Sequence, residues 1–260
     1  MRKLLILLAI VTSFISCEEI VDINLHDGNQ RLVVDAEFAA EKNKQTVFLS
    51  TTGRYTDGQG IGPVSDAIVT VTDQDGNTGV FSEIEAGKYT LSNYSFITGN
   101  TYSLSVNDET RSAQATATVP EKAIIDSIKL EVIPVGDFTF TIIHMYTMDP
   151  GPEANFFRSR LSYNNHGFYG TGSVFADVLN TNGLIDVSLP FGGPIFEGDT
   201  LAVDLWSMDE AGYQFYRTLN QAANSDPSST SSPFNVTSNV HGGLGLFGVS
   251  QRDVFTLIVE

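Results

Sequence analysis

The sequence predicts a mostly β protein: an N-terminal immunoglobulin-like β-sandwich, then a second β-sandwich-like domain carrying one α-helix at about 207–223. Three observations predict it. Apolar and polar residues alternate with period two through a series of short runs, the pattern of half-buried strands. Gly, Asn and Asp clusters separate those runs as turns would. One long segment alone switches to helical periodicity. Seventeen Phe and nine Tyr suit the same reading, because aromatic side chains favour strands.

Residues 1–16 are set apart from the fold. Arg2 and Lys3 form a basic start, and Leu4 to Val11 is an apolar run far shorter than the ~20 residues a membrane-spanning helix needs. That is the pattern of a secretory signal. Ser16 precedes Cys17, the only cysteine in the chain. The stretch resembles a lipobox, with Phe14 where leucine is usual, so cleavage before Cys17 and acylation of that cysteine are expected. A lone cysteine in an exported chain has no disulfide partner within it. Each buried CH₂ of an acyl chain contributes about 0.8 kcal/mol, so several chains together anchor firmly. Residues 17–30 read as an acidic linker, and Glu18, Glu19 and Asp22 resemble the surface-export signal of Bacteroidota lipoproteins.

Residues 31–120 hold the first sandwich. Strands are expected at 31–38, 44–50, 67–73, 79–83, 88–92, 101–106 and 113–119. Asp75-Gly76-Asn77 reads as a hairpin turn. The loop 51–66 between the second and third strands is long, and Arg54, Tyr55 and Ile61 make it the candidate interaction loop. Pro120 breaks the pattern, and residues 121–260 form the second β-rich domain. Its strands are expected at 123–133, 138–147, 155–163, 184–190, 200–207 and 253–260. Within 207–223, Ser207 and Glu210 have capping-box spacing. Gly212, Phe215, Leu219 and Ala222 form a stripe that packs on a sheet, with Tyr216 beside it.

Near the C-terminus, Gly243, Gly245 and Gly248 fit G-x-G-x-x-G. A dinucleotide site also needs a following helix, a second strand and an acid ~20 residues on. Too little chain follows Gly248, and it reads as a strand. Gly242, Gly243, Gly245 and Gly248 are therefore structural glycines, with the bare face of Gly243 and Gly245 admitting another backbone closely.

Composition excludes further classes. The formal charge is −17, and loss of Arg2 and Lys3 makes the mature chain more acidic still. Nucleic acid is not an expected partner, because phosphate binding needs a basic face. The four histidines, His26, His144, His166 and His241, show no metal-ligand spacing, and no cofactor motif is complete. The acids of 73–77 resemble a calcium loop, but Gly76 comes too early and no closing Glu follows. A nucleophile elbow is absent; Gly170-Thr171-Gly172-Ser173 lacks its second half.

The runs "CEEIVDINL", "RLVVDAEF", "PVSDAIVTVTDQDGNTGVFSE", "GKYTL" with "GNTYSLSV", "YQFYRTLNQ" and "PFNVTSNVHGGLGLFGVS" occur in this order. In these the chain resembles the Bacteroidota outer-membrane lipoproteins grouped as domain of unknown function 4249. The resemblance implies a lipid-anchored partner of the outer membrane, displayed on the cell surface. Such lipoproteins are often encoded beside TonB-dependent transporters, so it implies a binding or accessory subunit of such a system. The alternative is a structural or adhesive subunit of a larger envelope complex; a surface hydrolase ranks third, and no catalytic residue carries over. Asp126-Ser127-Ile128 and Asp199-Thr200-Leu201 resemble Bacteroidota O-glycosylation sites, which makes Ser127 and Thr200 candidate modification sites.

Overall fold

Strand-forming alternation is realised along most of the described residues. The computed structural model describes residues 30–53, 61–136, 138–151, 153–164, 166–167, 172–177, 183–191, 193–225 and 234–260. Seven strands lead: β1 (Leu32–Ala39), β2 (Lys44–Thr51), β3 (Ile68–Asp73), β4 (Thr78–Val80), β5 (Ser82–Glu85), β6 (Lys88–Ser92) and β7 (Thr101–Asn107). Then come β8 (Ser112–Thr118), β9 (Ile125–Val135), β10 (Phe138–Met148), β11 (Asn155–Tyr163) and β12 (Ser173–Asp177). The chain closes with β13 (Leu184–Phe191), β14 (Thr200–Met208), the helix α1 (Glu210–Ala223) and β15 (Gly243–Ile258). The described residues are mostly β with one helix, as the alternation predicts.

The strands form an eight-stranded sheet of order β12-β11-β14-β15-β1-β2-β6-β5, a four-stranded sheet β4-β3-β7-β8 and a three-stranded sheet β13-β10-β9. Both smaller sheets face the same side of the large one. One core lies under the four-stranded sheet, where Phe38 packs against Phe81, Phe96 and Phe247 with ring centroids 5.5–5.7 Å apart. A second lies under the three-stranded sheet and includes Ile143, Met145, Phe157, Leu201 and Leu205. α1 covers the opposite face of the large sheet, over Trp206, Met208 and Leu246.

β15 joins the two halves. Its first half runs parallel to β1, pairing Leu32 with Gly243 through Ala39 with Ser250. Its second half runs antiparallel to β14, pairing Ser207 with Gln251 through Thr200 with Ile258. The connection around Pro120 is pinned by side chains from the later strands. The Ala123 amide donates to the Ser207 hydroxyl at 2.9 Å and the Ile125 amide to the Asp253 carboxylate at 3.0 Å, while Gln251 Nε2 donates to the Pro120 carbonyl at 2.6 Å.

Several details differ from the pattern-based reading. The helix does not start at a Ser207–Glu210 box. Ser207 is a buried residue of β14, and Asp209 is the N-cap, accepting from the Gly212 amide at 2.9 Å. A shorter acid one turn ahead of Gly212 reaches that amide directly, which a residue still in the strand cannot do. Tyr216, expected beside the stripe, is with Gly212 its buried centre. The expected strand 79–83 is two strands in different sheets, β4 pairing with β3 and β5 with β6, with the buried Phe81 at the crossover between them. β12 has no counterpart in the pattern-based reading, and the final strand starts at Gly243 rather than 253.

Candidate functional site

The densest polar chemistry lies on the helix side of the large sheet. Period-two geometry puts Arg158 and Arg160 of β11, Asp204 and Trp206 of β14, Arg252 of β15 and Glu37 of β1 on that one face. Asp204 is completely buried. Arg160 donates to its Oδ2 through Nε at 3.2 Å and Nη2 at 2.7 Å, and Arg252 Nε donates to Oδ1. Both guanidinium groups lie over the Trp206 ring, 5.3 and 5.5 Å from its centroid. Trp206 Nε1 is buried with no hydrogen-bond partner among the described residues, and the ring serves this cluster through its face.

Two residues back along β11, Arg158 donates from Nη1 to Glu37 at 3.2 Å and lies 3.8 Å over the Tyr216 ring, and the Tyr216 hydroxyl donates to the other Glu37 oxygen. Burial, with the Glu37 charge second, pushes the Tyr216 phenol well above its usual range, so it stays a donor at any ordinary pH. Burial and the same Glu37 charge raise Asp35 above the usual carboxylate range. The second cluster ties α1 to the sheet through Tyr216. A buried charge stripped of its partners costs roughly 3–5 kcal/mol. Asp204→Ala is therefore expected to lower stability by about 3 kcal/mol, read as the urea midpoint, with Asp204→Glu less damaging.

Beside this clamp, two clefts meet at the start of α1. One, of about 320 Å³, has Phe156, Phe157 and Met208 as its apolar floor and Glu121, Glu153 and Glu210 at its rim. The other, about 550 Å³, runs between β8 and α1 past Thr116, Gln214 and Asn239. Asp209 separates them, its Oδ2 accepting from the Thr118 amide at 3.2 Å. Asn239 Nδ2 donates to the Thr116 carbonyl at 3.2 Å, and Gln114 and His241 exchange backbone hydrogen bonds. These contacts cover the β8 edge, which would otherwise be open to pairing. Among the described residues, no group of three or more His, Cys, Asp or Glu side chains converges at metal-binding geometry.

The residues singled out from sequence scatter. Cys17, Glu18, Glu19, Asp22, Arg54 and Tyr55 lie outside the described residues. Ile61 is 73% exposed, at a loop base closed by the Thr51 amide donating to the Gly62 carbonyl at 2.9 Å. Ser127 stands partly exposed on edge strand β9, donating to Asp126 at 3.1 Å. Thr200 is the half-buried first residue of β14, its amide donating to Asn164 Oδ1 at 2.8 Å. In the 73–77 turn, Asp73 Oδ1 accepts from the amides of Asp75 and Asn77 and Oδ2 from the Asn77 side chain, as a hairpin cap does. The cleft residues and the Arg160–Asp204–Arg252 cluster were not singled out. The only local signal was an acid, Asp204, inside the otherwise apolar run "LAVDLW".

A family model described as a domain of unknown function (DUF4249) matches residues 18–256. No curated protein matches. Among solved structures, the crystal structure of a DUF4785 family protein from Legionella pneumophila is similar at 12% identity and a TM-score of 0.29, covering 68% of this chain and 52% of that one. The chain thus spans about half the length of that protein.

Proposed function

The chain belongs to the DUF4249 family, and from that premise we propose that it is a lipid-anchored, surface-exposed outer-membrane lipoprotein that serves as a binding or accessory subunit of a TonB-dependent transporter system. The observation that carries the reading is the basic, apolar start followed by Ser16-Cys17 and the acids Glu18, Glu19 and Asp22. Acylation of Cys17 would put the anchor at one end of a linker and leave the β body free to meet a partner. The body supports a binding role in its own way. Asp204 and Glu37 are paired with arginines inside the body, Glu37 also holds Tyr216 of α1, and the two clefts at the start of α1 stay open beside them.

The test is affinity purification from detergent-solubilised membranes, with Cys17→Ala alongside. Wild type is expected to fractionate with the outer membrane and to recover a TonB-dependent transporter; Cys17→Ala is expected to leave the membrane fraction. Recovery of no transporter from intact, membrane-bound protein would overturn the accessory role.

A further inference from the structure

The outer face of the three-stranded sheet carries a charged cluster that neither core nor clamp uses. His144 stands on the central strand β10. Its Nδ1 lies 3.0 Å from Asp186 Oδ1 on β13, and its Nε2 lies 3.0 Å from Glu131 Oε2 on β9. β9 and β13 are the two edges of this sheet, so one imidazole touches both through carboxylates. Ionised carboxylates only accept hydrogen bonds. Both ring nitrogens can donate only when the imidazole is protonated, because the neutral ring has one donor and one acceptor. The other groups on this face are few. Lys129, the cross-strand neighbour of His144 on β9, lies 5.2 Å over the Tyr146 ring, and that ring stacks on His144 at 6.3 Å. Ser188, its neighbour on β13, is uncharged.

We propose that Glu131, His144 and Asp186 form a pH-dependent latch that ties both edge strands of this sheet to its central strand while the imidazolium is present and releases one of them when the ring loses its proton. Hydrogen bonds from the ring to Asp186, and next to Glu131, hold the His144 pKa above the ordinary value of 6.5. A raised folded-state pKa fixes the sign: the latch's contribution is complete below pH 6.5 and is lost as pH rises through the folded value. On deprotonation the bare ring nitrogen faces a carboxylate, and that contact becomes repulsive.

Nitrogen-detected NMR of the His144 ring in the full mature chain tests the latch directly. At pH 6 both ring nitrogens are expected to carry protons. The titration midpoint is expected above the ordinary histidine value of 6.5, and Glu131→Gln and Asp186→Asn are each expected to lower it. Amide exchange in β9 or β13 is expected to quicken above the midpoint in wild type and to lose that pH dependence in His144→Gln. All three substitutions are on an exposed face, so folding is not at stake. A ring midpoint at or below 6.5, or the same exchange profile in wild type and His144→Gln, would overturn the proposal.

Discussion

Gly245→Val is expected to lower stability by about 4 kcal/mol, from backbone strain and steric conflict of a few kcal/mol each. Gly245 pairs with Val34 in the parallel ladder and has φ +113°, a region that side-chain-bearing residues avoid. A Cβ there would lie 1.9 Å from the Val34 carbonyl oxygen and 2.8 Å from its carbon. That atom belongs to backbone in a central strand, so no rotamer change relieves the overlap. β1 and β15 would have to part, and each contributes to the core under the four-stranded sheet. In a thermal melt the loss corresponds to roughly 10 °C for a chain of this size. Gly248→Ala is the matched control. Its added Cβ meets nothing nearer than the Leu246 side chain at 3.9 Å, and a change within about 1 kcal/mol is expected. A Gly245→Val protein that melts with wild type would mean that β1 and β15 are not neighbours.

A fragment of residues 30–120 is expected not to fold cooperatively, although it contains every strand that alternation assigns to the first sandwich. β1 would lose its parallel partner and become an edge. The core would lose Phe247, Val249 and Val240, all buried in the whole chain. Each such side chain contributes about 1.5–3 kcal/mol by burial, and the three together rival the 5–15 kcal/mol that holds a typical domain. The measurement is a urea titration followed by tryptophan-independent near-ultraviolet circular dichroism, reading the tyrosines and phenylalanines. The fragment is expected to give a weak, sloping signal, and residues 30–260 a single sharp transition. A sharp transition in the fragment would show that the first sandwich stands without β15.

These two expectations show where local pattern ends. Alternation made most strands legible, because their inward residues, such as Val69 and Val71 of β3 or Ala113, Ala115 and Ala117 of β8, form one buried face. Partnership was not legible. The parallel pairing of β1 with β15 joins residues more than two hundred apart, and no local residue encodes it. The glycines announced only that some backbone comes close; Val34 could not be named from them. β12 was missed because, after the exposed Ser173, its residues are all half-buried and show no alternation of burial. The arginine–carboxylate clamp was hidden for a related reason. Arg158, Arg160 and Arg252 each look like the polar side of a strand, and only the register brings two of them to Asp204. The large sheet is covered on both faces near α1, so "polar side" there does not mean solvent. His144 is similar: its carboxylates come from strands on either side, far from it in sequence.

The anchor at Cys17 underlies the membrane-bound role, and mass spectrometry of the mature N-terminal peptide from the membrane fraction tests it directly. The predicted result is a chain that begins at Cys17, with the cysteine carrying diacylglycerol and its amine acylated. A mature chain that begins elsewhere, or begins at Cys17 with a free thiol, would contradict it.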